Sequence, residues 1–195
     1  MHSVIEAEIM IKILAVTGYK NFELGIFKND SKEANYIKRA LQKQLKAFIE
    51  EGLEWVIITG QLGVELWAAE AVLALKKEFH HVKLAVMTPF LQQESNWNDQ
   101  NKQYYQSILA DADFVESLSK QPYISPMQFK NRDQFLLQKC DGMLILYDEE
   151  REGSPQYMWR EAKKYQETHP FELFQLNFYD LQQFIEDEIS EHTNY

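Results

Sequence analysis

Thr59-Gly60-Gln61-Leu62-Gly63-Val64-Glu65-Leu66-Trp67 joins the apolar run Trp55-Val56-Ile57-Ile58 to a long helical pattern through a turn that carries two glycines. Strand, glycine turn and helix in that order form the unit with which α/β proteins hold anions. Glycines let a phosphate approach the backbone, and the N–H groups and dipole at a helix start favour negative charge. The stretch therefore reads either as a nucleotide or phosphate site or as a tight βα turn and nothing more.

The pattern repeats outward in both directions. Residues 11–16 form a short apolar run ending at Thr17-Gly18, and a helix is expected from Ser31, with Ile37, Leu41, Leu45 and Phe48 at helical spacing and Gly52 as its stop. A helix over 64–79 and a strand over 82–88, stopped by Pro89, follow. Residues 90–101 turn polar and read as an exposed loop leading to a helix over 103–110, then a short strand over 112–116. A helix over 127–139 feeds the apolar strand at 142–147; Ser154 suits an N-cap and Pro155 the first helical position. A strand over 171–176 and an acidic helix over 179–190 close the chain. About six strands alternating with helices predict a mainly parallel, Rossmann-like sheet covered on both faces, in one α/β domain over 10–195. Residues 1–9 read as a leader or disordered tail. Ligands in such sheets sit at the carboxyl ends of the strands. That rule gathers Thr17, Gly18, Tyr19, Lys20, Thr59, Gly60, Gln61, Gly63, Glu65, Pro89, Phe90, Gly153 and Ser154 on one edge.

The chain has 195 residues, 45% of them hydrophobic, and a formal charge of −10. It is long enough for one buried core, and its charge argues against a broad nucleic-acid surface while leaving room for a small basic pocket. The single cysteine, Cys140, excludes an internal disulfide and a multi-cysteine metal site and reads as a small buried residue. No metal-ligand cluster stands out, and His80-His81 reads as an exposed turn. No apolar run is long enough to span a membrane and no signal peptide is recognisable, which places the protein in the cytoplasm.

Several blocks together resemble the YpsA family of Gram-positive bacteria, in the SLOG superfamily of Rossmann-like proteins that also holds the DNA-processing protein DprA and the LOG phosphoribohydrolases. They are A-V-T-G-Y-K at 15–20, F-E-L-G-I-F-K at 22–28, E-G-L-E-W at 51–55, G-Q-L-G-V-E-L-W-A-A-E-A at 60–71 and E-G-S-P-Q-Y-M at 152–158. The resemblance runs from Met10 to the final helix. It implies a nucleotide or nucleotide-derivative site and a link to cell division. Thr59, Gly60, Gly63 and Glu65 correspond to the superfamily's first glycine-rich element, with Trp67 in the family's own extension. Glu65 could then accept hydrogen bonds from ribose hydroxyls, or simply favour the helix dipole. Trp67 could stack on a base or pack the helix on the sheet. Lys20 could neutralise a phosphate or be solvated.

The second superfamily element departs from its pattern. LOG enzymes carry P-G-G-x-G-T-x-x-E, whose final Glu takes part in N-glycosidic cleavage, and here the segment reads Glu149-Glu150-Arg151-Glu152-Gly153-Ser154-Pro155-Gln156-Tyr157. Gly153-Ser154 survives as an N-cap and anion nest, but Tyr157 stands in the place of the Glu, and a phenol of pKa about 10 is no substitute for a carboxylate at neutral pH. Arg132 lies nine residues before Asp141, a spacing similar to that of the LOG arginine, and would bind phosphate. The leading expectation is a nucleotide-binding regulator with no obligatory cofactor. The alternative is an enzyme acting on a nucleotide or ADP-ribose-like substrate, with Glu65 as its carboxylate, helped by Asp148 or Glu152. Single-stranded DNA binding, suggested by DprA, is opposed by the charge. The acidic tail at 184–192 and Trp97, Tyr104 and Tyr105 are open to oligomer or cell-division-partner contacts, or to ordinary packing.

Overall fold

The structure is a computed structural model that describes residues 9–193. Six strands, β1 (Ile13–Gly18), β2 (Trp55–Ile58), β3 (Lys83–Thr88), β4 (Phe114–Ser117), β5 (Gly142–Leu146) and β6 (Glu172–Leu176), pair in the order β4-β3-β2-β1-β5-β6. Every pairing is parallel. Between and after them run α1 (Lys32–Glu50), α2 (Val64–Leu75), α3 (Asp99–Asp111), α4 (Met127–Lys139), α5 (Pro155–Gln166) and α6 (Phe178–Thr193). The expected Rossmann-like architecture is present. The tail expected at 1–9 lies, apart from Ile9, outside the described residues.

Side chains along a strand alternate between faces, so a strand buried at each position must be covered on both. The five residues of β5 are all buried, and β1 to β3 are buried along their centres. α1 is amphipathic because Ile37, Leu41 and Leu45 line its inner stripe, and Ser31 caps it by accepting from Ala34 N at 3.2 Å. α2 is apolar all round because it packs against both α1 and α3; from Val64 to Ala69 every residue is buried. Carboxylates pin the strand starts: Asp141 Oδ2 accepts from Lys12 N and Ile13 N at 2.8 Å, and Asp113 Oδ2 from Leu84 N at 2.8 Å.

Several boundaries move for local reasons. β1 extends through Thr17 and Gly18, the expected turn, because these two pair with Ile145 and Leu146. α2 stops at Leu75, and α3 begins at Asp99 because Asn98 caps it, accepting from Asn101 N at 2.8 Å. A 3₁₀ turn over Asn21–Leu24 occupies part of the loop after β1.

Candidate functional site

The chain lays β2, β3 and β4 on one side of β1 and then returns to lay β5 and β6 on the other. Strand order therefore reverses between β1 and β5, where the loops after the two strands diverge and leave a crevice at their carboxyl ends. An open groove of about 790 Å³ lies there. Its floor is Thr17 and Gly18 of β1 with Gln61 of the β2–α2 turn and Glu65 of the first turn of α2, and its walls are α4 and the start of α5.

Glu65 organises the floor. Its Oε2 accepts from Thr59 N and Thr59 Oγ1 at 2.8 Å and from Gln61 N at 3.1 Å, and its Oε1 accepts from Thr17 Oγ1 at 2.8 Å. The residue is only 4% exposed. A carboxylate has about four acceptor sites, and Oε1 keeps one beyond the Thr17 bond. Gly63 brings the turn under the loop after β1: Val64 N donates to Tyr19 O at 3.1 Å, and a Cβ on Gly63 would lie 2.7 Å from that oxygen and against Asn21 N. Its φ of +99° also suits glycine alone.

The helix starts hold negative charge, but the charge is the protein's own. Glu65 sits in the first turn of α2. At α5, Glu23 of the 3₁₀ turn accepts from Ser154 N (2.7 Å), Ser154 Oγ (2.8 Å) and Lys20 N (2.7 Å). The Gly153-Ser154 segment, expected as a nest for a ligand anion, is thus filled by a carboxylate reaching across from the loop after β1, and the Ser154 side chain does not cap its helix.

Cations enter the groove from its sides. Lys20, Lys130, Arg132 and Arg160 line it, against the carboxylates of Glu65, Asp133 and Glu161. Arg132 donates from Nε (2.9 Å) and Nη2 (2.7 Å) to Asp133 Oδ1 and lies 5.2 Å over the Phe129 ring. Nη1 takes no part in that pair. Burial pushes the Asp133 carboxyl above its usual range, against the pull of Arg132.

Of the residues expected from sequence, Thr17, Gly18, Lys20, Gln61, Glu65, Arg132 and Ser154 line this groove. Trp67 does not: its ring is 0% exposed and its Nε1 donates to Asn29 Oδ1 at 2.9 Å, so it packs the helix and has no face for a base. Tyr19 is 1% exposed, donates to Arg151 O at 2.7 Å and stacks on Phe178, so it props the loop after β5. Gly153 makes room for that Tyr19 ring, and Gly60 for Tyr105 and Gln93. Thr59 acts through Glu65. Pro89 is buried at the end of β3, and Phe90 lines a neighbouring hollow. Asp148 and Glu152 lie outside the groove; Asp148 accepts from Glu150 N and Phe178 N.

Sequence reasoning missed Phe129, Lys130, Asp133, Arg160 and Glu161. The signal was helical spacing: Phe129, Arg132, Asp133 and Leu136 share one face of α4, and Tyr157 and Glu161 one face of α5. Tyr157, 64% exposed, stands on the rim. Cys140 is buried, its thiol pushed up to about 12, chiefly by burial. Trp97 packs edge-on to the buried Tyr105, and Tyr104 donates to Glu70 at 2.6 Å. Among the described residues no cluster of three or more His, Cys, Asp or Glu side chains is placed to hold a metal ion, and no helix is long and apolar enough to cross a membrane.

The model of the YpsA family, described as the YspA SLOG family, matches residues 14–181. A UPF0398 protein of Bacillus licheniformis is 55% identical over 177 residues, covering 91% of this chain and 97% of that protein. The UPF0398 protein YpsA of Bacillus subtilis is 51% identical over 178 residues, 91% of this chain and 99% of its own. A UPF0398 protein of Lysinibacillus sphaericus is 54% identical over 172 residues, 88% and 96% of the two chains.

Proposed function

The chain belongs to the YpsA family of SLOG proteins, and we propose that it binds a nucleotide or nucleotide derivative in the groove between β1 and β5 and acts as a regulator. The observation that carries this is a local inversion of charge. A chain of formal charge −10 gathers four cations against three carboxylates at its topological switch point. Excess positive charge in a cleft walled by apolar side chains focuses field and concentrates anions. Lys130 and Arg160 stand on opposite walls and suit a phosphate chain laid between α4 and α5, with Arg132 Nη1, outside the Asp133 pair, as a further donor. Oε1 of Glu65 has one acceptor position for a ribose hydroxyl.

The two helix starts are occupied by Glu65 and Glu23, so in this reading phosphate is held by side chains rather than by a backbone nest. Ligand binding orders the walls, and a protein partner reads that order. The link to cell division and the placement in the cytoplasm come from the family resemblance and the sequence character.

A second reading, turnover of the ligand, is favoured by the Asp133 carboxyl, which burial pushes up and to which Glu161 adds a like charge. A carboxyl raised in this way can hold a proton for a leaving group. The experiment is a thermal-shift series of wild type and Arg132→Ala against mono- and dinucleotides and ADP-ribose, each mixture then analysed by chromatography. A shift lost in the variant, without product, supports the regulator. Product formation lost in Asp133→Asn supports the enzyme.

A further inference from the structure

The groove does not end at Phe129. On the far side of that ring lies a second hollow of about 440 Å³, lined by Phe90, Gln92, Gln93, Asn96, Tyr123 and Phe129 among others. Phe129 belongs to both walls. A second bridge joins them, because Gln61 of the groove floor donates from Nε2 to Gln93 Oε1 at 3.3 Å. Gln93 is itself fixed, its Nε2 donating to Thr59 O (2.9 Å) and to Tyr105 Oη (3.2 Å). The two hollows thus share the Phe129 ring and are tied by the Gln61–Gln93 bond.

Their chemistries differ. Among the described residues no Lys, Arg, Asp or Glu lines the second hollow. Three aromatic rings meet there, with centroid distances of 5.3 Å for Phe90–Tyr123, 5.4 Å for Phe90–Phe129 and 5.9 Å for Tyr123–Phe129. Tyr123 keeps 53% of its surface exposed. Gln92 and Asn96 add amide donors and acceptors. The loop is held in this shape: Leu91 N donates to Gln121 O at 3.0 Å, and Gln92 takes φ +57°, a left-handed conformation that no other non-glycine adopts among the described residues. Side chains other than Asn and Asp pay a steric cost there, which persists only where the surroundings hold it.

Uncharged amides around an aromatic cluster suit a planar heterocycle with a hydrogen-bonding edge. The cation-lined groove of about 790 Å³ has room for a mononucleotide-sized group. We propose that the second hollow is a base subsite, and that the ligand carries two ring systems joined through phosphates, a dinucleotide rather than a mononucleotide. This rests on the nucleotide reading of the groove.

The test is isothermal titration calorimetry with ADP, ADP-ribose and diadenosine diphosphate, a series that adds first a ribose and then a second base. Stacking is tolerant of base identity, so adenine suffices as the probe. Wild type binds diadenosine diphosphate about tenfold more tightly than ADP-ribose. Tyr123→Ala, at an exposed ring, removes that gain and leaves the ADP affinity unchanged. Equal affinity for ADP-ribose and diadenosine diphosphate, or a gain that survives in Tyr123→Ala, overturns the second subsite and leaves the groove reading standing. Failure of all three compounds to bind wild type removes the groove reading and the subsite with it.

Discussion

Replacing Glu65 by Gln changes one oxygen to an amide nitrogen and removes the charge from a carboxylate that four donors surround. The Gln oxygen must take the Oε2 place, because the backbone N–H groups of Thr59 and Gln61 cannot reverse. The amide nitrogen then faces Thr17 Oγ1, which can turn to accept. Three bonds lose charge assistance, and a neutral carbonyl serves three donors poorly. With bonds to charged groups contributing ~1.5–3 kcal/mol and neutral ones ~1, the three bonds together lose at least about 1.5 kcal/mol. For a chain of this size that is a melting temperature lower by at least about 3 °C. Glu65→Ala strands the buried Thr59 N–H and the half-buried Gln61 N–H and opens a cavity, for about 4–6 kcal/mol. Thermal and urea denaturation of the three proteins should therefore rank wild type above Gln above Ala. A Gln variant that melts within about 1 °C of wild type, as an ordinary surface substitution does, refutes the reasoning and returns Glu65 to a purely ligand-facing role.

Gly63→Ala should destabilise the fold by at least about 2 kcal/mol, because the Cβ meets Tyr19 O and Asn21 N at a φ closed to alanine; chemical denaturation checks this, and unchanged stability with lost ligand binding contradicts it. The pH dependence of stability offers a separate test at Asp113. Burial works to raise its carboxyl, but the Lys76 hydrogen bond, the Leu84 amide and the Lys76 charge outweigh it and hold the group below its usual range. A carboxyl depressed in the folded state stabilises at pH above its unfolded pKa of about 3.9, and the contribution is lost as pH falls through the lower folded value. Asp113→Asn should thus be less stable than wild type at pH 7, with the gap closing in acid below about pH 4; a gap constant with pH sinks the electrostatic part of the argument.

The sheet was legible where burial on both faces leaves an uninterrupted apolar run, as at Val56-Ile57-Ile58 and Met143-Leu144-Ile145-Leu146, and where caps and glycines punctuate, as at Ser31 and Gly52. The glycine turn was correctly placed at the strand ends, and the contacts that hold it lie far away in sequence or on the backbone. Gly63 serves a backbone contact with Tyr19, and Trp67 answers to Asn29, 38 positions away. Nothing local announces that Glu23 crosses to Ser154, a span of 131 positions, and fills the nest that a ligand anion was expected to occupy. Arg160 was hidden for another reason: a basic residue on an amphipathic helix reads as solvated until the neighbouring helix shows that it faces a groove. The Tyr157 substitution stood out because it broke a motif, and the residues around it did not.

The most direct test of the central claim is calorimetric titration of wild type and an Arg132→Ala, Arg160→Ala double variant with ADP at two salt concentrations. If the groove holds phosphate through its side-chain cations, wild type binds, affinity falls as salt rises, and the double variant loses at least tenfold while circular dichroism shows it still folded, with a melting temperature lowered by the unpaired Asp133. Binding of ADP by the double variant with wild-type affinity and wild-type salt dependence would contradict the account.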